Sequence, residues 1–268
     1  MTEIAVLSLN KQRFLKKLHQ KKYRYQYNTF FCEGYKTFNM AISQKNVTIK
    51  EIVITESVLL GKNGNKIKKL ALSHGIKLYI TDENVMKKLS DEKTPSNILF
   101  TVIMNNANLS LLSSCSDNNI VCLENISDPG NLGTIIRTCA WFGLNTIVLS
   151  SGCVDPYNPK TVRAGAGAIF YTKIFIDADV KNIINIFKSK NYLLTVTVPE
   201  NGISIYKWKK SNKNLIFLGS EARGISKDVI DNSDIKLSIP GNGKIESLNV
   251  SVAAGIIFYN LMDNENRL

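Results

Sequence analysis

"LENISDPGNLGTIIRTCAWFG", residues Leu123–Gly143, continues the apolar run that begins at Asn119, turns at Asp-Pro-Gly-Asn, and passes into a helix-like pattern. It places Asn131 at the start of that helix and Arg137 one to two turns in. A strand that feeds a helix through a glycine-bearing turn is the unit of a parallel sheet covered by helices.

The flanking sequence repeats this alternation. Apolar runs recur at "NIVCLENI", "NTIVLSS", "AIFYTKIFI", "YLLTVTV", "LIFLGS" and "IKLSIP", separated mostly by helical patterns such as "VKNIINIFKSK" and "SLNVSVAAGIIFYNLM". The expectation is an α/β domain over residues 118–268 with a mostly parallel sheet and helices on both faces. Upstream, "FFCEGYKTFNMAIS" has helical spacing, "IKEIVIT" and "KLYIT" read as strands, and "NGNKIKKLALSHG" reads as a helix closed by Gly75. A small α/β domain over 1–105 follows, and the Asn- and Ser-rich 106–117 reads as a linker.

Charge separates the two halves. Of the net +12, residues 1–105 carry 18 Lys+Arg against 8 Asp+Glu, and residues 106–268 carry 16 against 14. The densest stretch, "KQRFLKKLHQKKYR", contains Lys16, Lys17, Lys21, Lys22 and Arg24 with tyrosines close by. A polyanion is the natural partner, because Lys and Arg make most phosphate contacts and aromatic rings stack on unpaired bases. The five cysteines show no CxxC pair, so neither a zinc site nor a disulfide framework is suggested. The start carries no signal-peptide order and no window is apolar enough to span a membrane, so a cytoplasmic protein is expected.

Ligands of such sheets bind at the carboxyl ends of the strands. Three loops there join glycines to polar residues: "SDPGNLGTIIRT", "SEARGIS" and "GNGKIESLNVSVAAG". None is a phosphate-binding loop, and the first strand lacks the GxGxxG of Rossmann-type enzymes, methyltransferases included.

In order, "NISDPGNLGTIIRT", "LGSEARGIS" and "IPGNGKIESLNVSVAAGI" resemble the three motifs of the SpoU (TrmH-like) ribose 2′-O-methyltransferases of the SPOUT superfamily, and "NPKTVRAGAGAIF" is similar to that family as well. The N-terminal "KKYRYQYNTFFCEGYKTFNMAI" looks like the family's L30e-like substrate-binding domain. The resemblance implies a trefoil-knotted SPOUT domain, S-adenosylmethionine as cofactor, a homodimer, and a structured RNA as substrate, ribosomal RNA before transfer RNA. The rival reading is a non-catalytic RNA-binding or ribosome-assembly protein that retains the fold.

By the same resemblance, Thr197, Val198, Gly219, Ile239 and Leu248 would meet the cofactor. Arg137 would handle the ribose hydroxyl and a phosphate, with Asn131, Glu221 and Asn249 fixing it and Ser247 assisting. A guanidinium loses its proton only above about pH 12, so orientation and electrostatic help are the natural role for Arg137. Lys16, Lys17, Lys21, Lys22, Arg24 and Arg163 are the expected RNA contacts.

Overall fold

The computed structural model describes residues 4–90, 92, 94–105 and 107–262. Its strands are β1 (Ala5–Val6), β2 (Thr29–Glu33), β3 (Ile49–Thr55), β4 (Lys77–Thr81), β5 (Ile98–Ile103), β6 (Asn119–Glu124), β7 (Thr146–Ser150), β8 (Lys173–Ala178), β9 (Leu193–Thr197), β10 (Ile203–Ser204), β11 (Asn214–Gly219) and β12 (Ile235–Ser238). Its helices are α1 (Leu9–Lys17), α2 (Lys21–Tyr27), α3 (Tyr35–Ile42), α4 (Glu56–Leu60), α5 (Gly64–Ser73), α6 (Glu83–Leu89), α7 (Pro129–Trp141), α8 (Pro159–Ala164), α9 (Val180–Lys188), α10 (Lys227–Asp231) and α11 (Val250–Leu261). They fall into two compact units, Met1–Asn105 with Tyr157–Phe170, and Asn106–Pro156 with Tyr171–Leu268.

The first unit is a five-stranded sheet in the order β1-β4-β3-β5-β2, with β5 antiparallel to both of its neighbours. Ile52, Val53 and Ile54 of β3 are wholly buried, so the central strand is covered on both faces. "FFCE" is strand rather than helix: Phe30 pairs with Val102 and Cys32 with Phe100, and Gly34 at φ +95° turns the chain into α3. The segment Tyr157–Phe170 also belongs to this unit, although it lies far downstream in sequence. Phe30 packs against Tyr157 at a ring separation of 4.8 Å, and a Cβ on Gly167 would sit 3.0 Å from the sulfur of Met40.

Every strand pairing in the second unit is parallel, in the order β10-β12-β9-β11-β6-β7-β8. Alternate residues point to opposite faces. Ile120, Cys122, Leu215 and Phe217 join Ile183, Ile184 and Phe187 of α9 in one cluster. Val121, Leu123, Ile216 and Leu218 are equally buried on the other face, where α7 and α11 pack together and α11 meets β11. After β12 the chain recrosses β9 to seat α11 there; the expected knot would close on this return. The stretch expected to be a linker carries structure of its own within residues 107–117. Leu109–Ser114 forms a 3₁₀ turn, and Leu112 and Cys115 are buried in the α9 cluster.

Candidate active site

β6 and β11 lie side by side with Glu124 in register with Gly219, so the loops that leave them emerge together. The loop after β6 becomes α7, with Pro129 at its first position, the helical site where proline's missing N–H costs nothing. The side chain of Asp128 caps α7 by accepting from the backbone N–H of Asn131 at 2.7 Å. The third motif delivers Asn249 as the cap of α11, its Oδ1 accepting from the Ser251 N–H at 3.0 Å and the Ser251 hydroxyl at 2.6 Å.

Glu221 joins the three. Its Oε1 accepts from Asn131 Nδ2 at 3.1 Å, Asn249 Nδ2 at 2.7 Å and the backbone N–H of Val250 at 3.0 Å. Asn249 Nδ2 also donates to Asn131 Oδ1 at 2.9 Å, which closes the triangle. One carboxylate thereby holds the first turns of α7 and α11. Arg137 stands outside this network. It is exposed on α7 and, among the described residues, makes no hydrogen bond or ion pair. The triad fixes the helix that carries the arginine, and leaves the guanidinium to bind something else. Ser247 is exposed with no hydrogen bond among the described residues.

Thr197, Val198, Gly219 and Ile239 gather at the carboxyl ends of the adjacent strands β9, β11 and β12, where the backbone N–H of Val198 donates to Leu237 O at 2.9 Å. Leu248, next to the helix cap Asn249, is 46% exposed. Gly219 has a steric reason to be glycine. A Cβ there would lie 2.7 Å from Ile225 N and closer still to the carbonyl of Gly224, because the loop after β11 folds back on the strand. The Gly224 N–H donates to Ser220 O at 2.8 Å to close that turn.

Sequence reasoning missed Glu124. It is only 4% exposed, its backbone carbonyl accepts from the Ser220 N–H at 3.1 Å, and its Oε2 accepts from the Ser226 N–H at 2.9 Å. It thus grips both ends of the turn that presents Glu221. The available signal was a carboxylate closing an apolar strand, where burial demands a partner.

Among the expected RNA contacts, Lys16, Lys17, Lys21 and Lys22 are exposed on α1 and α2, with Lys17 5.5 Å from the Tyr23 ring and Lys21 5.4 Å from the Tyr25 ring. Two arginines have partners within the protein, and only Arg24 is too buried for the expected contact. Arg24 is 2% exposed, and its Nη1 donates to the carbonyls of Leu18 and His19 at 2.8 Å each, capping the end of α1. Arg163 pairs within the first unit with Glu92 at 2.5 Å and Glu33 at 3.7 Å. Burial pushes the Glu33 carboxyl up, as does Glu92, against the opposing pull of Ser90, Arg163 and His19. Burial also raises the thiols of Cys32, Cys122, Cys139 and Cys153, which argues against a thiolate nucleophile. Among the described residues no cluster of His, Cys, Asp and Glu could hold a metal ion, and no helix is long and apolar enough to cross a membrane.

Residues 118–259, more than half of the chain, match the model of the SpoU rRNA Methylase family. The chain belongs to this family. Residues 10–99 of this SpoU methylase match the MRM3-like substrate binding domain. Over 261 residues, 97% of its length, it is 28% identical to the 23S rRNA (guanosine(2553)-2'-O)-methyltransferase RlmP of Bacillus subtilis, 99% of which is covered. A putative RNA methyltransferase of the TrmH family from Porphyromonas gingivalis is similar in structure, with a TM-score of 0.82 at 26% identity over 96% of this chain and 98% of that one. The AdoMet-bound rRNA methyltransferase from Sinorhizobium meliloti shares the fold, with a TM-score of 0.83 at 24% identity over 96% of each chain. The family and α/β architecture expected from the three ordered motifs are those found.

Proposed function

We propose that this methyltransferase acts on the 2′-hydroxyl of a ribose in 23S ribosomal RNA, with S-adenosylmethionine as donor, as a cytoplasmic homodimer. The observation that carries the reading is the unpartnered Arg137 guanidinium, projecting from a helix whose first turn is locked to both other motifs through Glu221. The ribosomal target follows the family and the Bacillus subtilis relative, and the donor follows the AdoMet-bound relative of like fold.

The cofactor supplies a methyl group on a sulfonium. Val198, Ile239 and Leu248 would hold its base at the ends of β9 and β12, and the backbone of Gly219 would border the same space. A ribose hydroxyl is a weak nucleophile, so the chain's contribution is to orient it in line and stabilise the charge that develops on its oxygen. Arg137 suits both tasks: its planar fork can take a phosphate oxygen and the hydroxyl together. The Asn131–Glu221–Asn249 triangle ties the start of α7 to the start of α11 and to the turn after β11, so the arginine is pre-positioned rather than recruited. RNA approaches through the basic face of α1 and α2, where Lys16, Lys17, Lys21 and Lys22 take phosphates.

Pairing of two copies is supported by α11. Val252, Ile256 and Tyr259, at a spacing of four then three, share one face and are all exposed, and Trp141 of α7 is exposed too. The small residue Ala254 faces the core instead.

The deciding experiment incubates the protein with labelled S-adenosylmethionine and separately purified ribosomal and transfer RNA, then maps the labelled nucleotide. A label on 23S RNA at a ribose is expected. Label on a base, or on transfer RNA alone, overturns the assignment.

A further inference from the structure

The charge division becomes sharper when it follows the folded units instead of the sequence. Tyr157–Phe170 adds Lys160 and Arg163 and no acid to the first unit, which then holds 20 Lys+Arg against 8 Asp+Glu, the whole net +12. The second unit has 14 of each and nets zero. That zero is unevenly spread. Residues 188–213 contain six lysines and one acid, +5, so the rest of the unit has 8 basic against 13 acidic residues, −5.

The densest part of this excess, "YKWKKSNK", Tyr206–Lys213, runs from the carboxyl end of the edge strand β10 to the amino end of β11. Trp208 is buried and pins its middle. Lys210 Nζ donates to Asn260 O at 2.6 Å, at the far end of α11 from Asn249, and Lys213 lies 5.6 Å from the Tyr192 ring. Lys207 and Lys209 are exposed and make no hydrogen bond or ion pair among the described residues, and Tyr206 is 86% exposed. α11 itself measures the track: at about 1.5 Å per residue it covers about 18 Å between the catalytic triangle and the Lys210 contact.

We infer that Tyr206–Lys213 is a second RNA-contact surface, a lysine track that holds the phosphate backbone of the substrate several nucleotides away from the ribose being methylated. The inference rests on the reading of the protein as an RNA methyltransferase. The physical reason is the polarity of the unit. Outside this track the unit has 10 Lys+Arg against 14 Asp+Glu, so a polyanion seated at Arg137 gains most by continuing along the lysines. Tyr206 at the head of the track offers a face on which an unpaired base can stack.

The test is the pair of substitutions Lys207→Glu and Lys209→Glu, made together because neither lysine supports the fold. Binding to deproteinised 23S RNA is expected to weaken, and the slope of log affinity against log salt to fall by roughly 1.4 to 1.8, the contribution of two phosphate contacts. Affinity for S-adenosylhomocysteine and the melting temperature are expected to stay unchanged. Should the charge reversal unfold the protein, Lys207→Gln with Lys209→Gln is expected to lower the slope by the same amount. In the unaltered protein, acetylation of Lys207 and Lys209 is expected to slow when 23S RNA is bound. An unchanged slope, undiminished acetylation, or equal protection by polyglutamate would each overturn the inference. Failure here leaves methyl transfer by the unaltered protein intact, whereas failure of the enzymatic reading abolishes transfer itself.

Discussion

Asn131 and Glu221 lie 90 residues apart in sequence and share a hydrogen bond of 3.1 Å, whereas Arg137, six residues beyond Asn131, is hydrogen-bonded to neither. The arginine is therefore held by its helix and not by its neighbours. Arg137→Ala is expected to lower kcat by on the order of 10²–10³, the usual effect of removing one group aimed at developing charge. S-adenosylhomocysteine affinity by calorimetry should barely move. Turnover within a few-fold of the parent would mean that another group handles the hydroxyl.

Gly219→Val is expected to weaken S-adenosylhomocysteine binding and turnover together. The added side chain collides with Ile225 N and the Gly224 carbonyl, and so displaces the turn that carries Glu221. Glu124→Ala should give the same double loss by freeing the Ser226 N–H at the other end of that turn, while Glu124→Gln, which can still accept this bond, should restore much of it. Parent-like affinity in Gly219→Val would place the cofactor away from this loop.

Glu33 gives a pH dependence with a defined sign. Burial raises its carboxyl above the ordinary 4.5, so the folded state binds the proton more tightly than the unfolded chain does. The stabilising contribution is complete below about pH 4.5 and is lost as pH rises through the raised value. Glu33→Gln keeps an acceptor for the Ser90 hydroxyl and removes the buried charge. Thermal melts should show it more stable than the parent near neutral pH, with a flatter profile above pH 4.5. A parallel profile in both proteins would contradict this.

The basic segment contains two kinds of cation that can be told apart. Reversing Lys16, Lys17, Lys21 and Lys22 to Glu should weaken RNA binding and reduce its salt slope by about 3, with little change in melting temperature. Arg24→Ala should do the opposite, costing about 1–3 kcal/mol of stability as the Leu18 and His19 carbonyls lose a buried donor. Equal effects of the two variants on RNA binding would erase the distinction.

Val252→Asp with Tyr259→Asp should convert a homodimer into monomers in sedimentation, because both positions lie on the exposed apolar face of α11. A parent already monomeric at micromolar concentration and active would refute the pairing.

The second unit was legible because parallel strands buried on both faces appear as continuous apolar runs, as "NIVCLE" and "LIFLG" do. β2 was not, since "TFFCE" has no turn signal between it and α3 other than Gly34, and its aromatic residues suit either periodicity. The three motifs exposed Asn131, Glu221 and Asn249, but their hydrogen bonds to one another are long-range and leave no local trace. Burial of Arg24 inside a run of exposed lysines was equally hidden, because composition counts charges without showing where a side chain reaches. The placement of Tyr157–Phe170 in the first unit follows from contacts with Phe30, Met40 and Glu33 that lie more than a hundred residues upstream.

That placement constrains the order of events on the ribosome. When residue 105 has been polymerised, the first unit still lacks Arg163 opposite Glu33 and Tyr157 beside Phe30. The missing piece is translated only after β6, α7 and β7, several seconds later at roughly 5–20 residues per second. During that interval Glu33 waits without its guanidinium and Phe30 without its ring partner. The amino-terminal unit is thus the first to be started and cannot be the first to be finished.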